Sequence, residues 1–215
     1  MIEKVPESIK VTYKYDIRMT HILSDRRALL KKWTETYLRN IYYGKYLLLV
    51  SPVFTLNKRI FILPTLDVDT TFNVGFNFIS KFLRKQRYWY AEFTGKRSFH
   101  LYFRYLVEIP PEYNEIRDIR QLILQPFKKF FDVIDSVSSI RNIPTVRIGK
   151  RSDVNRLAIP VLYLDKKWIL NASRGPTFEK VFPRENDLAM YIRTYLLPPL
   201  YVDLRTYYRL VRYRK

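Results

Sequence analysis

Two periodicities alternate along this chain. Apolar runs of about four to eight residues read as strands, and apolar positions three or four apart read as helices. Residues 1–23 are extended and mixed. Ser24 is a suitable N-cap for a helix beginning Asp25-Arg26-Arg27, striped by Leu29, Leu30, Trp33, Tyr37, Leu38 and Ile41 and stopped by Gly44. Tyr46 to Ser51 reads as a buried strand, and Asn57-Lys58 as a turn into a second apolar strand that starts at Arg59 and ends in Asp67-Val68-Asp69. Pro64 inside that strand predicts a bulge or an edge. Thr70 or Thr71 caps a helix buried through Phe72, Phe76, Ile79 and Leu83. Arg87 to Phe93, the turn Thr94 to Ser98, and Phe99 to Glu108 read as a hairpin with a basic, Gly-containing tip.

After the break at Pro110-Pro111, a helical pattern runs from about Glu115 to Ile134, with Ile116, Ile119, Ile123, Phe127, Phe130 and Ile134 on one face. Pro126 must kink or split it. Strands follow at Thr145 to Arg147 and Arg156 to Leu164, and Asp165-Lys166-Lys167 reads as a turn into a strand Trp168 to Leu170. Glu185 to Leu196 is a helix ended by Pro198-Pro199, and the tail from Tyr207 to Lys215 is basic and aromatic. The class is mixed α and β. With no repeats and no linker, residues 1–215 read as one domain, with lobes at roughly 1–95 and 96–215.

Charge narrows the picture. The chain carries 39 Lys and Arg against 20 Asp and Glu, a net charge of +19. So basic a protein attracts polyanions, nucleic acid first. No apolar run approaches the ~20 residues that span a bilayer, and no basic amphipathic anchor is evident, so no membrane partner is expected. Cysteine is absent, which removes disulfides and thiolate zinc sites and fits a cytoplasmic protein.

Against that basic background stand two acids. Residues two apart on a strand share a face, so Asp67 and Asp69 project together while Val68 turns into the core. Adjacent carboxylates repel, and a divalent cation relieves the conflict. The plain alternative is a strand running into an Asp-rich turn. The hairpin tip brings Lys96, Arg97 and Ser98, a plausible phosphate cradle, and His100 shares the strand face of Ser98. A lone histidine is more often structural, and His21 is read so; His100 has basic company.

The order of these motifs resembles the archaeo-eukaryotic primase superfamily, which includes the small catalytic subunits of replicative primases and the primase-polymerases. The matching pattern is hydrophobic-D-x-D at Leu66 to Asp69, then S-x-H at Ser98 to His100. A further Asp follows, ahead of an Arg-, Pro- and Ser-containing segment from Ile134 to Lys150, closed by Leu157 to Val161. The resemblance covers roughly residues 60–161. It implies an RRM-like antiparallel sheet beside an N-terminal α/β lobe, sharing one cleft. It implies a DNA primase or primase-polymerase that transfers nucleotides from NTPs or dNTPs on a single-stranded DNA template or primer-template. Asp67, Asp69 and Asp135 would hold two Mg²⁺ or Mn²⁺ ions, and Ser98, His100, Arg97 and Lys96 would grip phosphates, with Arg147 and Lys150 as secondary candidates. A second primase subunit or a helicase is an implied partner.

The chain departs from the family where it lacks a cysteine zinc knuckle and where Arg147 replaces a histidine found in several primases. Both Asp132 and Asp135 lie in range of the third acid; helical phase from Phe130 and Ile134 turns Asp132 to solvent and favours Asp135. No helicase phosphate-binding loop occurs. So compact a core suits a virus, a plasmid or a small genome, and then a host cytoplasm. Two other readings share these features: a non-catalytic nucleic-acid-binding subunit on a degenerate primase fold, and a metal-dependent nuclease.

Overall fold

The structure, a computed structural model, describes residues 1–15, 20–26, 37–141 and 144–212. Leu29, Leu30 and Trp33 of the expected first helix lie outside the described residues, as do the tail residues Arg214 and Lys215. The described backbone forms a mixed α/β fold around one large, mostly antiparallel sheet. Its strands are β1 (Ile2–Lys4), β2 (Lys10–Tyr15), β3 (Thr20–Asp25), β4 (Leu47–Leu56), β5 (Arg59–Ile62), β6 (Thr65–Val68), β7 (Trp89–Phe93), β8 (Phe99–Phe103), β9 (Leu106–Ile109), β10 (Thr145–Arg151), β11 (Arg156–Pro160) and β12 (Leu200–Asp203). Along the main path the order is β1-β12-β9-β5-β4-β10-β11-β7-β8-β6, with β2 and β3 added beside β4. Among the described pairs only β12 and β9 run parallel.

Seven α-helices accompany the sheet among the described residues: α1 (Leu38–Tyr42), α2 (Phe72–Lys85), α3 (Ile116–Leu124), α4 (Ser136–Ser139), α5 (Lys166–Ser173), α6 (Glu185–Tyr191) and α7 (Leu204–Val211). A 3-10 segment, Gln125–Phe130, continues α3, and a π-helical turn, Ile192–Leu196, continues α6. Pro126 explains the first: it removes an N–H from the helical ladder, and the tighter helix takes over. No described helix is long and apolar enough to cross a membrane.

Several expectations need correction. Ser24 and Asp25 finish β3 instead of capping a helix. The run from Arg59 to Asp69 is two strands, because Pro64 cannot donate to a ladder: β5 pairs with β4 and β9, while β6 pairs with β8 at the sheet edge. The run from Phe99 to Glu108 also divides, at Arg104-Tyr105, and sends β9 to the far part of the sheet. Trp168 to Leu170 is helical, since the Asp165 carboxylate accepts the Trp168 N–H and starts α5. On α2 the fully buried positions are Gly75, Ile79 and Phe82; Phe72, Phe76 and Leu83 pack partly. Other signals read correctly. Asn57 and Lys58 both have positive φ, 45° and 65°, the requirement of a tight hairpin turn, and they join β4 to β5.

Strands β6 and β7 are both antiparallel to β8, which lies between them, so β6-α2-β7 is a split β-α-β unit. One face of this unit is apolar: Leu66, Val68, Ala91, Phe93, Phe99, Leu101 and Phe103 are buried beneath α2 and the 3-10 segment. Phe82 stacks edge-on against Trp89, which in turn meets Phe127. Burying each such ring contributes roughly 2–3 kcal/mol. Gly75 is where α2 comes closest, since a Cβ there would lie 3.0 Å from the Phe99 ring. With one face so filled, the alternating positions Asp67, Glu92, Ser98, His100 and Tyr102 are forced onto the other.

Candidate active site

Asp67 stands directly opposite His100 in the β6–β8 register, and His100 stands opposite Glu92 in β7. The Asp67 carboxylate lies 3.5 Å from His100 Nε2. The other ring nitrogen, Nδ1, is 3.0 Å from the Tyr102 hydroxyl and 3.3 Å from the Val146 carbonyl. The histidine is therefore held from both sides and oriented towards the acid. Asp69 follows the end of β6, is exposed, and accepts a hydrogen bond from Arg97 at 3.3 Å. That pair is solvent-facing on both sides, and such pairs contribute little.

Asp135 joins this group through its backbone. Its N–H donates to the Asp67 carbonyl at 2.8 Å, forming an isolated antiparallel bridge. Ser139, wholly buried, ties the same two residues: its Oγ accepts the Asp67 N–H and donates to the Asp135 carbonyl. Asp132 is exposed and makes no such contact. The Asp135 carboxylate caps α4, accepting the Val137 and Ser138 N–H groups and the Ser138 hydroxyl. Burial opposes its charge, but these hydrogen bonds, with nearby Arg141, outweigh burial and hold its pKa below the usual carboxylate range.

Among the described residues, no three Asp, Glu or His side chains stand together as a ready metal cage. The donor chemistry still fits a hard cation: Asp67 and Asp69 offer carboxylate oxygens, partly open to solvent. Asp135 lies alongside, with its oxygens engaged at its own helix.

The hairpin tip is built as its Gly95 requires. Gly95 has φ +83°, and a Cβ there would lie 2.9 Å from the Leu157 carbonyl. Ser98 is tied to Thr94, hydroxyl to hydroxyl at 2.9 Å, which squares the turn. Lys96 and Arg97 point to solvent. Lys96 also faces Asp153, whose pKa is lowered, first by its hydrogen bond to Arg151 and less by Lys96.

Arg147 is placed differently from the expectation of a phosphate ligand. It is 1% exposed, and its guanidinium meets Glu92 at 2.9 and 3.1 Å, the Tyr90 hydroxyl at 2.8 Å and the Tyr102 ring at 3.6 Å from the centroid. Glu92, also 1% exposed, accepts a further hydrogen bond from Tyr191 at 2.5 Å. Burial works against the Arg147 charge, but Glu92 outweighs it and raises the pKa further. A bulge puts the side chain there: the β10–β4 register slips between Val146 and Ile148, leaving Arg147 as the extra residue. Lys150, further along β10, is part-exposed, and no described hydrogen bond links it to the other candidate residues.

The structure thus brings Asp67, Asp69, Arg97, Ser98, His100 and Asp135 to one end of the split β-α-β unit. Arg147 is kept beneath them, joined to His100 through Tyr102. Sequence reasoning missed Ser139, Tyr102 and Glu92. Glu92 left a signal, a lone charge within the apolar strand Trp89 to Phe93.

No protein-family model matches the chain, and neither does any curated protein.

Proposed function

We propose that this chain is a primase-polymerase-like nucleotidyl transferase acting on single-stranded DNA. The observation that supports this most is the meeting of three distant segments at Asp67. Its carboxylate faces His100, its carbonyl takes the Asp135 N–H, and Asp69 with Arg97 lies at the same strand end. The reading also draws on the order of the sheet. Strands β6, β8 and β7 follow the sequence of an RRM-like sheet, and the Asp67–Asp135 bridge stands where a fourth strand would pair.

In this reading Asp67 and Asp69 would hold Mg²⁺ or Mn²⁺, with Asp135 reaching them once it leaves part of its helix cap. The ions would supply charge neutralisation for the triphosphate and activation of the attacking 3′-hydroxyl. The chain's own residues do the positioning. Arg97 exchanges Asp69 for a phosphate oxygen, and Lys96, Ser98 and the turn's N–H groups offer further donors. His100, steadied by Tyr102 and the Val146 carbonyl, presents Nε2 to the same space. NTPs or dNTPs are the substrates of this reading, and a further primase subunit or a helicase is a compatible partner.

A second reading has one observation in its favour. Arg97 neutralises Asp69 and Asp135 is committed to α4, an arrangement that also suits a non-catalytic nucleic-acid-binding subunit. Extension of a labelled primer on a single-stranded template with Mg²⁺ or Mn²⁺ separates the two. Elongation supports transfer, an unchanged primer supports the binding subunit, and shortened products point to a nuclease.

A further inference from the structure

We propose that the cleft between α3, the 3-10 segment and α4 is the seat of a single nucleic-acid strand, which it leads to Asp67. The strand's fate at Asp67 rests on the transferase reading above; its binding does not. The cleft encloses about 460 Å³ and is lined by Arg117, Arg120, Lys128, Phe131, Ser136 and Val137, among others, with no carboxylate in its wall. Arg117 lies in the first turn of α3, where the helix dipole disfavours a cation. Local helix electrostatics therefore do not account for it. Neither Arg117 nor Lys128 has a carboxylate within ion-pair distance among the described residues. Arg120 is fixed against the wall by donating to the Ile140 carbonyl at 2.9 Å.

Between these cations stand two exposed apolar side chains, Phe131 at 39% and Val137 at 63%. Cations along a groove with an open aromatic face are what a single strand requires: charge for the phosphates and a platform for a base. The cleft also leads somewhere. Ser136 and Val137 directly follow Asp135; the Val137 N–H donates to the Asp135 carboxylate, and the Asp135 N–H bonds the Asp67 carbonyl.

A second basic cleft, lined by Arg84, Arg87, Arg209 and Arg212 among others, is less telling. Arg84 and Arg209 lie in the last turns of α2 and α7, where cations complement the helix dipole. That cleft also has no aromatic exposed as Phe131 is, and no link to the carboxylates.

The test is fluorescence anisotropy of a labelled oligothymidylate with the full chain. The double variant Arg117→Glu/Lys128→Glu should bind at least tenfold more weakly. Its log–log salt slope should be shallower by about 1.4, two phosphates at roughly 0.7 each. Phe131→Ala should lose about tenfold with the slope unchanged. The charge-matched Arg84→Glu/Arg212→Glu variant serves as control and should lose less than threefold. If the glutamate pair does not fold, Arg117→Gln/Lys128→Gln reads the same quantity. Unchanged affinity in the cleft variants, an equal loss in the control, or a preference for duplex over single strand would overturn the proposal. Asp67→Asn separates this from the transferase reading. Retained extension in that variant defeats the reading and leaves the cleft to be decided by anisotropy. Lost extension with intact binding leaves a failure in anisotropy to count against the cleft alone.

Discussion

Glu92→Gln should be among the most damaging substitutions of a single side chain here, although it changes almost no volume. The Arg147 guanidinium is 1% exposed and receives two hydrogen-bond acceptors from Glu92. With the carboxylate gone, its remaining partners are the Tyr90 hydroxyl, the Tyr195 carbonyl at 3.4 Å and the Tyr102 ring. None carries a charge, and the new amide turns one N–H₂ group towards a cation. Breaking a buried pair from one side costs about 3–5 kcal/mol, which for a chain of this size lowers the melting temperature by about 6–20 °C. The companion variant Glu92→Leu/Arg147→Met removes both charges at similar volume and should lie within about 2 kcal/mol of wild type. Urea unfolding reads both, with the m-value confirming that the transition is unchanged in kind. A loss below about 1 kcal/mol for Glu92→Gln would refute the reasoning and show water reaching Arg147. A double variant as damaged as the single one would show that shape, not charge pairing, holds β10 to β7.

Two further outcomes follow from the same geometry. Asp135→Ala should lose about 1 kcal/mol as a helix cap, while Asp135→Asn, which still accepts the Val137 and Ser138 N–H groups, should lose less. The folded-state pKa of Asp135 is lowered, so its contribution is complete above the ordinary carboxylate range and disappears as pH falls through that range to the folded value. The gap between wild type and Asp135→Ala in urea titrations should therefore be widest near neutrality and narrow in acid; a gap that widens in acid would contradict the assignment. His100→Ala should weaken nucleotide affinity by roughly ten- to hundredfold, the usual worth of a charge-assisted hydrogen bond, and leave template affinity within about threefold. Equilibrium binding of a fluorescent nucleotide measures this, and an unchanged affinity would return His100 to a purely structural role.

How far these residues could be read from sequence depended on whether the deciding contact was local. The Asn57-Lys58 turn, the Gly95 tip and the end of the first helix at Gly44 were legible, because positive φ is a property of the residues themselves. The Asp67–His100 pairing was legible only as a shared cleft. Their register depends on β8 entering between β6 and β7, which no local pattern encodes. Pro64 announced an edge, and β6 is one, but the same proline also split a run that hydrophobicity alone made continuous. Arg147 misled because a cation in a strand looks available to a ligand. Its partner, Glu92, is 55 residues away in sequence, and only burial shows that the two charges satisfy each other. The Asp165 cap was visible in principle, but the apolar triplet Trp168-Ile169-Leu170 reads equally as strand or helix when so short.

The central claim is that Asp67 and Asp69 form a metal-dependent transfer site. The measurement that tests it most directly is primer extension by wild type, Asp67→Asn and Asp69→Asn across a Mn²⁺ titration, with oligonucleotide anisotropy on the same samples. The account predicts Mn²⁺-dependent extension by wild type, extension lost in both variants at every concentration, and strand binding within about threefold throughout. Extension by either variant at near-wild-type rate, or a wild type that binds the strand yet never extends it with Mg²⁺ or Mn²⁺, would contradict it.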